Sequence, residues 1–155
     1  MQQRSIEIIG LIVNGLTIAI YFAMLFLLQV PPAPMVLQLV GWVLLVAGIA
    51  LIILSTVTLL RKRTDSVIWS GVFSLIRHPM YLGSIYLFLA MPCFLPHWIL
   101  VILAVVNAIF IYWFMLNEEQ KNIDKFGDEY GRYLQSVPRA NLFAGLIRSL
   151  RSRQR

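Results

Sequence analysis

The feature that most constrains the fold is residues 35–60, a run that contains no charged side chain. A helix needs about 20 apolar residues to cross the hydrocarbon core of a bilayer, so this run is long enough. A helix also satisfies its own backbone hydrogen bonds, which is the condition for exposing a chain segment to lipid. The run therefore predicts a transmembrane helix.

Three other apolar segments follow the same pattern, at 6–30, 80–95 and 98–116. The first and last are long enough to span a bilayer, whereas 80–95 is short and is expected to tilt or to cross locally thinned lipid. A short proline-containing turn joins 80–95 to 98–116, so these two segments predict an antiparallel hairpin. We expect an all-α integral membrane protein with about four transmembrane helices, built as a single domain over 1–155.

The charged residues support this assignment, because the cations lie outside the apolar segments. Only 13% of the chain is charged, whereas a typical soluble domain carries about 25% charged residues. Lysine and arginine residues cluster between the second and third segments and in the tail, 117–155. The positive-inside rule then places both termini and the middle loop in the cytoplasm. The net charge of +6 is interpreted as a signal for membrane orientation, and no nucleic-acid partner is expected.

The tail divides into two predicted amphipathic helices. In the first, Phe126, Tyr130 and Tyr133 recur at helical spacing, so one face can lie against the membrane or against the helix bundle. In the second, at 141–155, large apolar residues are set against arginines. This pattern is typical of an interfacial helix that favours anionic lipid, so membrane lipid is an expected partner.

A polar cluster is predicted at one end of the hairpin. The sequence "IRHPMYLGS" at 76–84 opens the third segment, and "NEE" at 117–119 follows the fourth. Because the two segments are antiparallel and of similar length, these two stretches should lie at the same depth, at the cytoplasmic membrane boundary. The expected pocket combines an imidazole, a guanidinium, two carboxylates and a hydroxyl, from His78, Arg77, Glu118, Glu119 and Tyr81.

Each of these residues also has a purely structural interpretation. Pro79 is favoured in the first turn of a helix, and Arg77 can reach the lipid headgroups from a helix end. Four ionisable groups at one depth favour a functional site over separate anchoring roles. No metal site is expected, because the two histidines are far apart, at 78 and 97, and Cys93 is the only cysteine.

Two stretches of the chain resemble a known group of enzymes. They are "GVFSLIRHPMYLGS" and, one hairpin later, "NEEQKNIDKFGDEYGRYLQSVPRANLF". Together they resemble the isoprenylcysteine carboxyl methyltransferase superfamily, which also contains the phospholipid N-methyltransferases. Its signature is R-H-P-x-Y-x-G, then paired glutamates, then F-G-x-E-Y-x-x-Y and an exit like Val-Pro-Arg. The match covers about 71–143, just under half of the chain.

The resemblance implies an integral membrane enzyme that uses S-adenosylmethionine and takes a lipophilic or prenylated substrate sideways from the bilayer. It implies that the cofactor lies between the last hairpin and the tail, open to the cytoplasm. It assigns catalytic roles to Arg77 and Glu119. The remaining motif positions are assigned to cofactor binding, namely His78, Pro79, Tyr81, Gly83, Glu118, Glu119, Tyr130 and Tyr133.

Four functions stay open at this point. By motif, the first is carboxyl O-methylation of a prenylated cysteine. The uncharged residues 113–116, directly before the glutamates, are closer to the phospholipid N-methyltransferases. The third is an NADPH-dependent reductase of the sterol-reductase type, since those enzymes share the R-H-P-x-Y-x-G element. The fourth is a non-catalytic membrane scaffold, in which the polar cluster only anchors the hairpin.

Overall fold

The regular structure of the chain is helical. The computed structural model describes residues 2–27, 31, 33–62 and 66–152, and these ranges contain no β-strand. The described elements are α1 (Gln2–Leu27), α2 (Met35–Arg61), a short 3₁₀ turn (Gly71–Ser74), α3 (Pro79–Phe94), α4 (Trp98–Phe126), α5 (Asp128–Ser136) and α6 (Leu142–Ser152). The predicted all-α fold class is confirmed for the part of the chain that the structure describes.

Within the part of the chain that the structure describes, three helices are long and apolar enough to cross a membrane. They are Ile8–Leu27 within α1, Met35–Arg61 and Trp98–Phe126. The predicted end of the first span, at 28–30, lies outside the described residues. Helix α3 has 16 residues, so at 1.5 Å per residue it is about 24 Å long, shorter than the bilayer core. A fourth span at 80–95 therefore stays a prediction.

Helix α4 is longer than the predicted span at 98–116 and continues through both glutamates to Phe126. Residues 117–126 contain neither glycine nor proline, so nothing in the sequence stops the helix there. Gly127 ends it, with a backbone φ of 54° and a ψ of −129°. This conformation suits glycine because it has no Cβ. Helix α5 then begins with Asp128 and Glu129, whose charges favour a helix N-terminus.

The chain divides into two compact units, 1–48 with 84–113 and 49–83 with 114–155. The prediction of a single domain over 1–155 stays a prediction. In the first unit, the Asn107 amide donates to the Thr17 hydroxyl over 2.7 Å, and both side chains are buried. The same amide nitrogen donates to the carbonyl of Leu103. In membranes, a hydrogen bond between helices contributes about 0.5–1.5 kcal/mol.

This contact can be tested with a matched pair of threonine substitutions. Thr17→Val removes the acceptor of Asn107 and a bond to the Val13 carbonyl, and we expect it to destabilise the protein by about 1 kcal/mol. Thr56→Val removes the equivalent bond to the Ile52 carbonyl at an exposed position. The measurement is the denaturation midpoint in detergent. Equal midpoints for the two variants would show that the Asn107 contact adds no stability.

Candidate active site

The second unit holds the segment Arg77–His78 by its backbone. The amide of Arg77 donates to the carbonyl of Pro138 over 3.0 Å, and the amide of His78 donates to the carbonyl of Arg139 over 3.2 Å. Helix α3 begins at the next residue, Pro79, where a proline costs no hydrogen bond. The chain that leaves α5 is therefore paired with the residues that lead into α3.

The carboxylate of Glu119 binds both polar side chains of this segment. Glu119 Oε1 lies 2.8 Å from Arg77 Nη1 and 3.1 Å from His78 Nε2. Arg139 binds the same carboxylate in a bidentate manner, with its Nε atom 3.0 Å from Oε1 and its Nη2 atom 2.7 Å from Oε2. Glu119 is only 6% exposed and His78 only 5%. Two other stretches of the chain, at 77–78 and at 139, therefore contact this buried acid of α4.

Burial is the main reason why His78 is neutral in this cluster. Burial lowers the pKa of His78 below its usual value, and the positive charges of Arg77 and Arg139 act in the same direction against the attraction of Glu119. An ionised carboxylate can only accept, so the Nε2–H group of neutral His78 donates a hydrogen bond to Glu119. With two guanidiniums on one carboxylate, the cluster carries a net charge of +1.

A cavity of about 380 Å³ opens beside this cluster. That volume lies within the range of small-molecule sites, about 300–1,000 Å³. Its polar lining consists of Ser66, Arg77, His78, Tyr81, Glu118, Asn122, Lys125, Tyr130 and Tyr133. Its apolar lining consists of Leu59, Val67, Ile68, Phe73, Pro79, Met80 and Phe126. Apolar atoms form most of the exposed wall of the cavity, and charged groups form part of the rest, as expected for a cofactor with a polar and an aromatic part.

The structure brings most of the predicted site residues to this cavity. Arg77, His78, Pro79, Tyr81, Glu118, Tyr130 and Tyr133 line it. The described lining residues do not include Glu119 or Gly83. Glu119 binds the side chains of Arg77 and His78, so it orients lining residues without forming the wall itself. Gly83 is buried within α3.

The tyrosines of α5 pack against protein. Tyr130 and Tyr133 form a buried cluster with Val67 and Val137, and the Tyr133 hydroxyl donates to the carbonyl of Phe73 over 2.7 Å. Burial raises the pKa of both phenols, so they remain protonated at neutral pH and serve as hydrogen-bond donors. Of the two alternatives for this face, membrane or helix bundle, the structure shows packing within the protein.

Sequence reasoning assigns no role to Arg139, although the structure places its guanidinium on both oxygens of Glu119. The available signal is the arginine of the "SVPR" stretch, which belongs to the resemblance. Its partner could not be inferred from helical spacing, because the contact depends on the path of the chain between α5 and α6. Asn122 and Lys125 also line the cavity without having been predicted.

Comparison with known proteins shows the family to which the chain belongs. A family model described as phospholipid methyltransferase matches residues 35–129, which is more than half of the chain. The chain belongs to this family, within the integral membrane methyltransferases. Residues of the chain are also 41% identical over 66 positions to methanethiol S-methyltransferase 1 of Bradyrhizobium diazoefficiens.

That second match is partial on both sides. It covers 43% of this chain and 22% of the relative, so the chain spans less than a quarter of the relative's length by this match. No solved structure matches the chain.

The ion cluster, formed by Glu119 with Arg77, His78 and Arg139, predicts a large effect for one substitution. Glu119→Gln removes the negative charge and leaves the guanidiniums of Arg77, which is largely buried, and Arg139, which is partly exposed, without their counter-charge, so we expect destabilisation by about 3 kcal/mol. Asp124→Asn on the same helix is the matched control, because its exposed side chain keeps an oxygen that accepts from Gln120. Thermal unfolding in detergent measures both. Equal midpoints for the two variants would contradict a structural role for the cluster.

The neutral state of His78 predicts a pH dependence. Its pKa is lower in the folded protein than in the unfolded chain, so the unfolded chain binds more protons as pH falls through about 6.5. The contribution of neutral His78 to the free energy of unfolding is therefore fully present above that pH and decreases below it. We expect the unfolding midpoint to drop between pH 7.5 and 5.5, and to drop less in His78→Gln. The same slope in His78→Gln as in wild type would assign the loss to other groups.

Proposed function

We propose that the chain transfers the methyl group of S-adenosylmethionine to a lipophilic acceptor, and that both meet at the cavity beside His78. The observation that carries this proposal is a cavity of about 380 Å³ bordered by the Arg77–His78 segment and Glu118. Membership of the phospholipid methyltransferase family supports the reaction class. It also weakens the reductase and scaffold alternatives, because neither transfers a methyl group.

The residues present fit this cofactor. Arg77 lines the cavity, and within the described part of the chain its buried Nε atom has no hydrogen-bond partner. A buried N–H without an acceptor costs free energy, so this atom suits a carboxylate such as that of the cofactor's methionine part. The carboxylate of Glu118, which also lines the cavity, would accept from an ammonium or from ribose hydroxyls.

When bound, S-adenosylmethionine supplies an electrophilic methyl group on a sulfonium. The chain's own contribution is to position the reactants, which supplies much of the rate in an in-line displacement. Arg77 and His78 are fixed for this purpose by Glu119 and by the backbone of 138–139. Apolar lining residues such as Phe73, Met80 and Phe126 exclude water from the cavity.

The charge of the site favours an anionic acceptor. With His78 neutral, the positive charges of Arg77, Arg139 and Lys125 exceed the negative charges of Glu118 and Glu119 by one. A carboxylate is attracted to that charge, so carboxyl O-methylation of a prenylated cysteine is our first proposal. A thiolate is attracted equally, and the similarity to a protein named methanethiol S-methyltransferase 1 favours a thiol as the second candidate. A phospholipid amine, after which the family is named, is the third.

We further propose that the cavity faces the cytoplasm. The basis is the excess of lysine and arginine in the middle loop and the tail, together with the placement of the cavity residues in those stretches and at their borders.

Methyl-labelled S-adenosylmethionine distinguishes the acceptors. Detergent-purified protein is incubated separately with a farnesylcysteine analogue, an alkanethiol and phosphatidylethanolamine. We expect a labelled methyl ester, which releases volatile label in base, whereas a thioether or a methylated amine does not. If only the thiol product carried label, a thiol would replace the prenylated cysteine as the proposed acceptor. If only the amine product carried label, a phospholipid amine would replace it. No product and no cofactor binding in a folded sample would overturn methyl transfer by this chain.

Calorimetry of Arg77→Lys tests the proposed cofactor contact. Lysine keeps the positive charge next to Glu119 but lacks the Nε donor, so we expect the Kd for S-adenosylmethionine to rise at least about tenfold. Lys125→Arg, at an exposed position on the rim of the cavity, is the control for substitution by a similar cation. An unchanged Kd in Arg77→Lys would remove Arg77 Nε from the proposed binding site.

A further inference from the structure

Helix α6 is held to the protein by one face. Gly145 is buried on that face, and a Cβ atom added there would overlap the carbonyl oxygen of Leu75. One turn further along, the Arg148 guanidinium donates to the carbonyl of Ser74. Only glycine permits this approach, so α6 is fastened to the turn that leads into Arg77–His78.

The opposite face of α6 is apolar and exposed. It consists of Phe143, Leu146, Ile147 and Leu150, which are 79%, 41%, 52% and 62% exposed. At 3.6 residues per turn these four positions fill an arc of about 100°. The middle of that arc lies about 180° from the face formed by Gly145 and Arg148. No described residue covers this stripe, which points away from the face that holds the helix.

The basic sequence around the stripe indicates the kind of surface that it binds. Residues 130–155 contain arginines at 132, 139, 148, 151, 153 and 155, and no aspartate or glutamate. An apolar stripe in a segment whose sequence is cationic is complementary to an anionic lipid surface, where each basic residue near that surface contributes about 1 kcal/mol. A second copy of this chain would place arginines against arginines. The chain also contains helices of membrane-spanning length, so lipid is an available partner.

We propose that α6 lies in the headgroup region of an anionic leaflet, with the stripe of Phe143, Leu146, Ile147 and Leu150 buried against the acyl chains. The contacts of Gly145 and Arg148 join this lipid-bound helix to the turn at Ser74–Leu75. Anionic lipid therefore stabilises the turn that leads into the cavity segment. This inference concerns the lipid surface and stands whether or not the proposed methyl transfer is correct.

Fluorescence quenching tests the position of α6. Single cysteines at Ile147→Cys and Ala144→Cys, in a Cys93→Ala background, carry an environment-sensitive dye in full-length protein. The protein is reconstituted in phosphatidylcholine vesicles with or without one-quarter phosphatidylglycerol, plus lipid that carries a quencher on the acyl chain. We expect at least about twofold stronger quenching at 147 than at 144, which lies on the flank of the stripe. We also expect that phosphatidylglycerol increases it.

Each other outcome overturns a defined part of the proposal. Equal quenching at 147 and 144 would show that the stripe does not face the acyl chains. Quenching that does not respond to phosphatidylglycerol would remove the anionic requirement. Quenching that decreases as protein density rises would assign the stripe to a second copy of the chain.

A matched pair of glycine substitutions tests the link from α6 to the turn. In phosphatidylglycerol-containing nanodiscs, Gly145→Ala should lower the thermal unfolding midpoint by several degrees and reduce quenching at 147, because the new Cβ pushes α6 off Leu75. Gly131→Ala, in α5, should lower neither, since a Cβ there has nothing within 4 Å. Wild-type behaviour of Gly145→Ala would break the link. A failure of cofactor binding would leave both readouts unaffected.

Discussion

The site depends on one buried interaction, the carboxylate of Glu119 shared among Arg77, His78 and Arg139. Its three partners come from two stretches that are distant from α4 in sequence. Removing such a charge from water is costly, and the cost is offset only when every oxygen is well paired. Here both oxygens accept, from two guanidiniums and an imidazole. The arrangement favours one relative placement of these stretches and so defines the shape of the cavity.

Much of this arrangement follows from the sequence. The long uncharged runs predict helices, and the antiparallel order of 80–95 and 98–116 predicts that Arg77 and His78 approach the glutamates. The distance of 2.8 Å between Arg77 and Glu119 is what that reasoning requires. The motif that carries the resemblance lies in the same stretches, and the match over residues 35–129 confirms the family. Segment length, charge placement and chain order were sufficient for these features, because all three can be read directly from the sequence.

The remaining features depend on how the chain turns between helices. The sequence treats Glu118 and Glu119 as an equivalent pair, but neighbours on a helix point about 100° apart. Glu119 therefore enters the ion cluster, whereas Glu118 lines the cavity. The role of Arg139 was missed for a similar reason. It depends on the backbone pairing of 138–139 with 77–78, which no local propensity encodes.

Two glycines shape this part of the protein through different physical requirements. At Gly145 the requirement is volume, because the Leu75 carbonyl occupies the place of a side chain. At Gly127 the space is open, and the backbone angles alone exclude ordinary residues. The cost of replacing Gly127 is thus about 1–3 kcal/mol whatever the size of the new side chain. Handedness is what Gly127 supplies: its φ and ψ are the mirror image of angles that L-residues commonly adopt, so the backbone at this joint between α4 and α5 suits a D-residue.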